Sequence, residues 1–307
     1  MRVGIIGMGP IGCTLAAHLI EAGAFVIPCD VDHEKIDTIK KEGIRLEHTI
    51  EKEVRVSEAC YSIQELQEYD LDLAIISVKA PSLKKVVPLL SEAASERMFV
   101  MCAQNGLDNE QDLAETFGED RTLRMAVNCA GGMSTPNTVD VTFFNPPNYV
   151  AALTTRGKAI ADDIARLLSS VDLQTEVSDN IRNHTWIKTI LNAALSPVCA
   201  VTGMTMKAVM DHPEGLRLVK AIIDESVIVA QAEGIKLDKD FRQSCIKYLQ
   251  AAGYHRPSML VDLDNGLPTE IDYLNGRIAE YGQRHGLDAP VNRTITAFVR
   301  MLESSSK

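Results

Sequence analysis

The first thirty-two residues, MRVGIIGMGPIGCTLAAHLIEAGAFVIPCDVD, constrain the fold more than any other stretch. A short apolar run from Val3 to Ile6 meets the turn Gly7-Met8-Gly9-Pro10-Ile11-Gly12. A helix-period segment from Ile11 to Ala22 follows, and then a second apolar run from Phe25 to Ile27. Strand, G-x-G-x-x-G turn and helix in that order are the context in which the glycine pattern carries meaning. Gly7 permits the tight turn, Gly9 lets the backbone approach a pyrophosphate, and Gly12 lets helix and strand pack closely. The helix N-terminus presents unpaired N–H groups and a partial positive charge to phosphates. Pro10, which has no N–H, is tolerated in the first helical turn. Gly7, Met8, Gly9, Pro10, Ile11 and Gly12 are therefore the expected cradle for a dinucleotide.

Asp30 sharpens the expectation. It ends the second apolar run at about the position, roughly 20 residues past the glycines, where an acidic side chain meets the adenosine ribose. A carboxylate there accepts hydrogen bonds from the ribose hydroxyls of NAD and repels the 2′-phosphate of NADP. No Arg or Lys lies between Asp30 and His33, and the next base is Lys35. Asp32 is the better candidate for capping the following helix. On these residues NAD(H) is favoured over NADP(H).

To about residue 150 the chain alternates strand-like and helix-like segments. Further apolar runs at Leu73 to Val78 and Met98 to Cys102 follow, with helix-period stretches at Asp32 to Lys41 before the first and Leu83 to Ser95 between the two. This is the pattern of βαβ units around a parallel sheet buried on both faces. Residues 121–153 contain strand-like runs with Gly-Gly, Pro and Asn punctuation, which predicts a more antiparallel edge closing that sheet. From about residue 156 helices dominate, at Ala159 to Val171, Asn180 to Leu195, Glu214 to Glu233, Asp238 to Ala252, Ile271 to His285 and Asn292 to Glu303, with a short strand at Gln174 to Val177. The expected partition is an α/β dinucleotide-binding domain over 1–178 and a helical substrate domain over 179–307.

A chain of 307 residues suits two domains. Its net charge of −11 argues against a nucleic-acid partner, which requires a basic footprint. The seven cysteines are scattered and contain no C-x-x-C pair, so they read as free, mostly buried thiols of a reducing compartment. No apolar run is long enough for a membrane helix, and a cytoplasmic location is expected. The histidines show no metal-ligand spacing, so no metal is expected. The oligomeric state is open, a two-fold homodimer being the commonest arrangement.

Four further stretches complete a pattern: SVKAPSL (77–83), AQNGLDNE (103–110), WIKTILNAALSP (186–197) and RPSMLVDLDNGLPTEIDYLNG (256–276). With the glycine-rich opening, and in this order over almost the whole chain, they resemble the ketopantoate reductase (2-dehydropantoate 2-reductase) family. The resemblance implies a Rossmann-type dinucleotide-binding domain followed by an all-helical C-terminal domain. It also implies reduction of a 2-oxo acid, ketopantoate, to the 2-hydroxy acid (R)-pantoate with a nicotinamide cofactor, a step of pantothenate biosynthesis. Residue by residue, Lys79 matches a lysine on the cofactor side, and Asn105 an asparagine beside the nicotinamide ribose and substrate. Lys188 matches the catalytic lysine, Asn192 a substrate-contacting asparagine, Ser258 the serine that binds the substrate carboxylate, and Glu270 the second essential acid group, placed by both cofactor and substrate.

Two departures matter. Ser196 stands where the family often has an asparagine that holds the hydroxylated part of ketopantoate, and CDVDH stands where many members carry the arginine that binds the 2′-phosphate of NADPH. These leave a second reading, an NAD-dependent D-2-hydroxyacid dehydrogenase acting on another 2-oxo acid. A third is a catalytically silent NAD(H)-binding sensor.

The residue types suit ketone reduction. Lys188 offers a compact cation whose pKa falls on desolvation, which makes it a proton donor near neutral pH. Asn192 lies four residues on, on the same helix face. The sequence leaves open whether Glu270 accepts a hydrogen bond from a substrate hydroxyl or orients Lys188. Arg256 is a weaker candidate for added positive charge near Ser258. Each residue also has a structural reading: Asn105-Gly106 as a turn, Glu270 as helix-terminal charge beside a Thr269 cap, and Trp186 as core.

Overall fold

The glycine turn requires a strand ending at Ile6, and the computed structural model, which describes residues 1–305, begins with it. In chain order the α/β part comprises β1 (Arg2–Ile6), α1 (Pro10–Glu21), β2 (Phe25–Cys29), α2 (His33–Glu42), β3 (Ile44–His48), β4 (Lys52–Val54), β5 (Leu73–Ile76), α3 (Leu83–Ala93), β6 (Phe99–Cys102), α4 (Asn109–Phe117), β7 (Thr122–Ala126), β8 (Cys129–Thr135), β9 (Thr138–Phe144), β10 (Asn148–Ala152), α5 (Lys158–Ser169) and β11 (Thr175–Val177). The helical part comprises α6 (Ile181–Thr202), α7 (Met206–Asp211), α8 (Pro213–Ala232), α9 (Phe241–Gln250), α10 (Ser258–Asp264), α11 (Asn275–Arg284) and α12 (Pro290–Ser305).

Seven strands form the main sheet in the order β11-β10-β7-β6-β5-β1-β2. Its neighbours pair in parallel except β10 and β7, which run antiparallel. The central strands β5 (LAII) and β6 (FVMC) are apolar at every position because both faces of the sheet are covered. Val3, Ile5, Leu73, Ile75 and Met101 enter one core. Ile6, Ala74, Ile76, Val100 and Cys102, displaced by one residue, enter the other. Each fully buried Ile or Leu contributes about 1.5–3 kcal/mol, so two apolar faces per strand give this sheet most of its driving force.

The predicted antiparallel edge over 121–153 is only half right. β7 and β10 join the main sheet, but β8 and β9 leave it for a second, four-stranded sheet in the order β4-β3-β9-β8. Its partners β3 and β4 lie in a stretch that the sequence reading left unassigned. IRLEH alternates buried Ile44 and Leu46 with outward Arg45, the period-two pattern of a half-buried strand. The helix expected from Ile271 begins instead at Asn275, after a 3-10 turn over Ile271–Tyr273. α6 runs on through Pro197 to Thr202.

Two compact units emerge. One is Met1–Gln104 with Asp108–Ile181; the other is Asn105–Leu107 with the chain from Arg182 onward. The tripeptide Asn105-Gly106-Leu107 therefore belongs with the helical unit. Trp186 is buried there, edge-on to Tyr281 with ring centroids 5.1 Å apart. All seven cysteines are buried and free. No helix among the described residues is long and apolar enough to cross a membrane.

Candidate active site

The glycines of the first unit divide their work. Gly7 has φ +95°, and a Cβ there would sit 2.8 Å from the Val78 backbone nitrogen. A Cβ at Gly12 would lie 2.0 Å from the Gly7 carbonyl oxygen. Both are therefore required by the protein's own packing. Gly9 is different: a Cβ there would meet nothing within 4 Å, so the fold leaves open space where a ligand would approach the backbone. Gly9 is also the N-cap of α1, with no side chain capping the helix and no acidic residue in its first turn. An uncapped, unneutralised helix start facing open space fits a dinucleotide pyrophosphate. Behind the turn, the Cys13 thiol donates to the Met8 carbonyl at 3.4 Å, and burial pushes its pKa up to about 12.

Asp30 is aimed back at this turn. Its Oδ2 accepts from the Met8 N–H at 2.6 Å and its Oδ1 from the Asp32 N–H at 3.1 Å. Lys35, reaching back from the first turn of α2, places its Nζ 3.6 Å from Oδ2. The expectation that no base compensates Asp30 is thus corrected, because one helical turn brings Lys35 onto it. Asp32 caps α2 as expected, accepting from the Lys35 N–H at 3.1 Å. Lys79 follows β5 and is half-buried at the start of a 3-10 turn over Ala80–Ser82.

In the helical unit, Asn105, Asn192, Ser196, Ser258, Met259, Asp262, Glu270 and Leu274 line one small hollow that opens to solvent. Five of these residues, Asn105, Asn192, Ser196, Ser258 and Glu270, are candidates that the sequence itself marks out. Asn192 and Ser196 lie four apart on α6 and share a face. Ser258 is the first residue of α10, exposed at the rim. Glu270 is buried at 6 % exposure, and Asn105 Nδ2 donates to its Oε2 at 3.2 Å. Burial excludes the reading of Glu270 as a solvated helix-terminal charge, although Thr269 does accept from the Ile271 N–H at 3.3 Å.

The loop that delivers Asn105 is pressed against the turn after Glu270. The Leu107 N–H donates to the Tyr273 carbonyl at 3.0 Å. Gly106 has φ +94°, and a Cβ there would stand 2.6 Å from that same oxygen. Only glycine fits both the backbone and the gap.

Lys188 sits on α6 one turn before Asn192 and is half-buried, outside the lining of the hollow. Arg256 is exposed, pairs with Asp264 and, like Lys188, lies outside the lining. Asp262, Met259 and Leu274 were missed. Asp262 was legible in principle: it follows Ser258 by four residues and Met259 by three, the spacing of one helix face, but the stretch was read as a motif rather than as a helix.

A parallel sheet with a dinucleotide cradle, followed by a helical unit whose hollow gathers amides, hydroxyls and buried carboxylates, defines a Rossmann-type oxidoreductase with a helical second domain. The family models for "Ketopantoate reductase PanE/ApbA" and its C-terminal part match residues 3–154 and 180–303, and the chain belongs to that family. It is 27% identical to a 2-dehydropantoate 2-reductase of Streptococcus pyogenes over 99% of this chain and 98% of that protein. Among solved structures it is similar to a PanE/ApbA family ketopantoate reductase from Ralstonia eutropha, with TM-score 0.89 and 27% identity over 100% of this chain and 99% of the other. It is also similar to D-mandelate dehydrogenase, solved with NADH and anilino(oxo)acetate, with TM-score 0.89 and 25% identity over the same shares.

Proposed function

We propose that this chain is a nicotinamide-dependent reductase of 2-oxo acids whose substrate is 2-dehydropantoate, reduced to (R)-pantoate. The observation that carries the reading is the hollow itself, which brings Asn105, Asn192, Ser196, Ser258 and Glu270 together from distant parts of the chain. The relatives named 2-dehydropantoate 2-reductase support it along the full length.

Bound NAD(P)H supplies the hydride. The chain's own residues do the rest. Lys188 Nζ donates the proton to the carbonyl oxygen as it becomes an alkoxide, and its charge stabilises that oxygen beforehand. The lining holds two carboxylates and no cation, so a 2-oxo acid anion depends on Lys188 for its counter-charge. Asn192 donates an amide hydrogen from the same helix face. Ser258 binds the substrate carboxylate, and Glu270, held by Asn105, accepts from a substrate hydroxyl. Apart from Met259 and Leu274 the lining is polar, which favours a hydroxylated substituent over a phenyl ring. Lys79 and Asn105 contact the cofactor's nicotinamide end.

We infer NADH as the preferred cofactor from Asp30, whose carboxylate is fixed by two backbone N–H groups. The second reading, a D-2-hydroxyacid dehydrogenase for another 2-oxo acid, is favoured by Ser196, which is smaller than asparagine, and by the likeness to D-mandelate dehydrogenase. An absorbance assay of NADH and NADPH oxidation, with ketopantoate and a panel of aliphatic and aromatic 2-oxo acids, decides. Turnover highest with ketopantoate is expected. Turnover confined to aromatic or other aliphatic 2-oxo acids would replace this reading with the second, and no turnover at all would sink both.

A further inference from the structure

α6 contains a proline, Pro197, directly after Ser196. A proline has no N–H, so the carbonyl four residues earlier, that of Ala193, loses its helical partner. Ala193 is fully buried and has no access to water. The missing donor comes from another helix: Asn275 Nδ2 donates to the Ala193 carbonyl at 3.0 Å.

Asn275 is itself fully buried and fixed. Its Nδ2 also donates to Asn292 Oδ1 at 3.0 Å. Asn292 donates from Nδ2 and from its backbone N–H to Glu225 Oε2, each at 2.9 Å. Glu225 Oε1 accepts from the Val291 N–H at 2.8 Å. One side chain thus ties α6 to α11, and through α12 to α8.

Its position in the chain gives the tie its meaning. Asn275 follows the turn that begins at Glu270. That turn is closed by the Tyr273 and Leu274 N–H groups, which donate to the Glu270 carbonyl at 3.0 and 3.1 Å. The same turn receives the loop that carries Asn105. On the other side, Ala193 lies between Asn192 and Ser196, both of which line the hollow.

We propose that Asn275 is a positioning residue: by supplying the N–H that Pro197 lacks, it sets the turn bearing Glu270 in register with the face of α6 that bears Asn192 and Ser196. The proposal rests on the 2-oxo acid reductase reading. Asn275 touches neither substrate nor cofactor and acts through the residues it holds.

The test compares wild type, Asn275→Leu, Pro197→Ala and the double variant. It measures kcat and KM for the 2-oxo acid, NADH affinity by fluorescence titration, and thermal melting. Asn275→Leu is expected to raise KM and lower kcat, together by about tenfold to a hundredfold in kcat/KM, as small misplacements of a site do, with NADH affinity unchanged. Pro197→Ala restores a backbone N–H to the helix but not the tie to α11, so the double variant is expected to regain melting temperature while its KM stays raised. A drop in melting temperature with kcat and KM unchanged would show a purely structural role and overturn the proposal. A double variant that recovers kcat and KM would overturn it too, because the Ala193 carbonyl would then need only a donor and not the tie. Should Asn275→Leu fail to fold, the double variant is compared with Pro197→Ala alone: a raised KM supports the proposal, whereas an equal KM or loss of folding overturns it. A wild type that reduces no 2-oxo acid sinks the functional reading and this proposal together, which distinguishes that failure from any result confined to the variants.

Discussion

The glycine cradle of the first unit and the polar hollow of the helical unit are built from different materials. The cradle is backbone: three glycines within six residues, an uncapped helix start, and one carboxylate bonded to two N–H groups. The hollow is side chains: amides, hydroxyls and carboxylates from four separated stretches, held by turns and one clamp between helices. A site made of backbone is intolerant of added volume, whereas a site made of side chains is intolerant of altered chemistry.

Lys188→Met removes charge and proton while keeping an unbranched side chain. The expected result is a fall in kcat of about a hundredfold to ten-thousandfold, the usual worth of a general acid, with NADH affinity unchanged. Stopped-flow turnover and fluorescence titration separate the two quantities. A kcat within a few-fold of wild type would remove Lys188 from the chemistry and leave Glu270 as the only acid group proposed.

Gly12→Ala is the matching change in the cradle, adding volume and no chemistry. Its Cβ would be driven against the Gly7 carbonyl, a backbone atom that no rotamer change can move aside. Overpacking of this kind costs about 1–3 kcal/mol and sometimes more, and here it displaces the turn itself. Weaker binding of ADP-ribose, which lacks the nicotinamide, is expected along with a lowered melting temperature. Gly9→Ala should behave in the opposite way, folding as wild type but binding the dinucleotide less well, because only a ligand would meet that methyl. Unchanged ADP-ribose affinity in Gly9→Ala would show that the open space over Gly9 is not the phosphate site.

The same contrast explains what could be read from the sequence. The cradle was legible because Gly7, Gly9, Gly12 and Asp30 owe their roles to local geometry, and local geometry is what spacing encodes. β3 and β4 were not, because each needs a partner from elsewhere: β3 pairs with β9, nearly a hundred residues on. In the helical unit the residues of the hollow were legible only as a family resemblance, since nothing in the local pattern joins Asn105 to Glu270. Asp262 escaped because a seven-residue helix is too short for its period to stand out. Asn275 is the deepest case. Its partner is the carbonyl that Pro197 orphans, and no periodicity can show which side chain in the folded molecule will satisfy it.

The first unit also carries a buried titratable group absent from the hollow. His18 on α1 is fully buried, with Nδ1 2.7 Å from the Thr14 carbonyl oxygen. Desolvation lowers its pKa from 6.5 to about 4, outweighing the stabilising hydrogen bond to Thr14. The folded state therefore holds His18 neutral where the unfolded chain takes up a proton. Above pH 6.5 both states are neutral and His18 adds no pH dependence. As pH falls from 6.5 to 4 the unfolded state gains protons and stability declines, by up to about 3 kcal/mol in total. Urea denaturation at stepped pH should show that slope, and His18→Gln should flatten it. A slope retained in the variant would assign the loss to other groups.

The smallest effect sharpens the comparison most, because Asp30 is the one place where the cradle uses side-chain charge. Lys35 lies 3.6 Å from the carboxylate and partly neutralises it, so the two side chains have opposed preferences. A carboxylate at Asp30 would favour the 2′-hydroxyl of NADH, and an ammonium at Lys35 the 2′-phosphate of NADPH. Asp30→Ala leaves the ammonium without its carboxylate and should move the NADH/NADPH ratio of kcat/KM toward NADPH by about tenfold, equal to about 1.4 kcal/mol. Lys35→Ala should move it the other way by a smaller factor, since Asp30 keeps its two backbone donors. The double variant should lie between the two. Because the changes are confined to the adenosine end, KM for the 2-oxo acid should stay constant in all three. A ratio unmoved by Asp30→Ala would mean that specificity is set elsewhere on the cradle, in its backbone rather than in its single pair of charges.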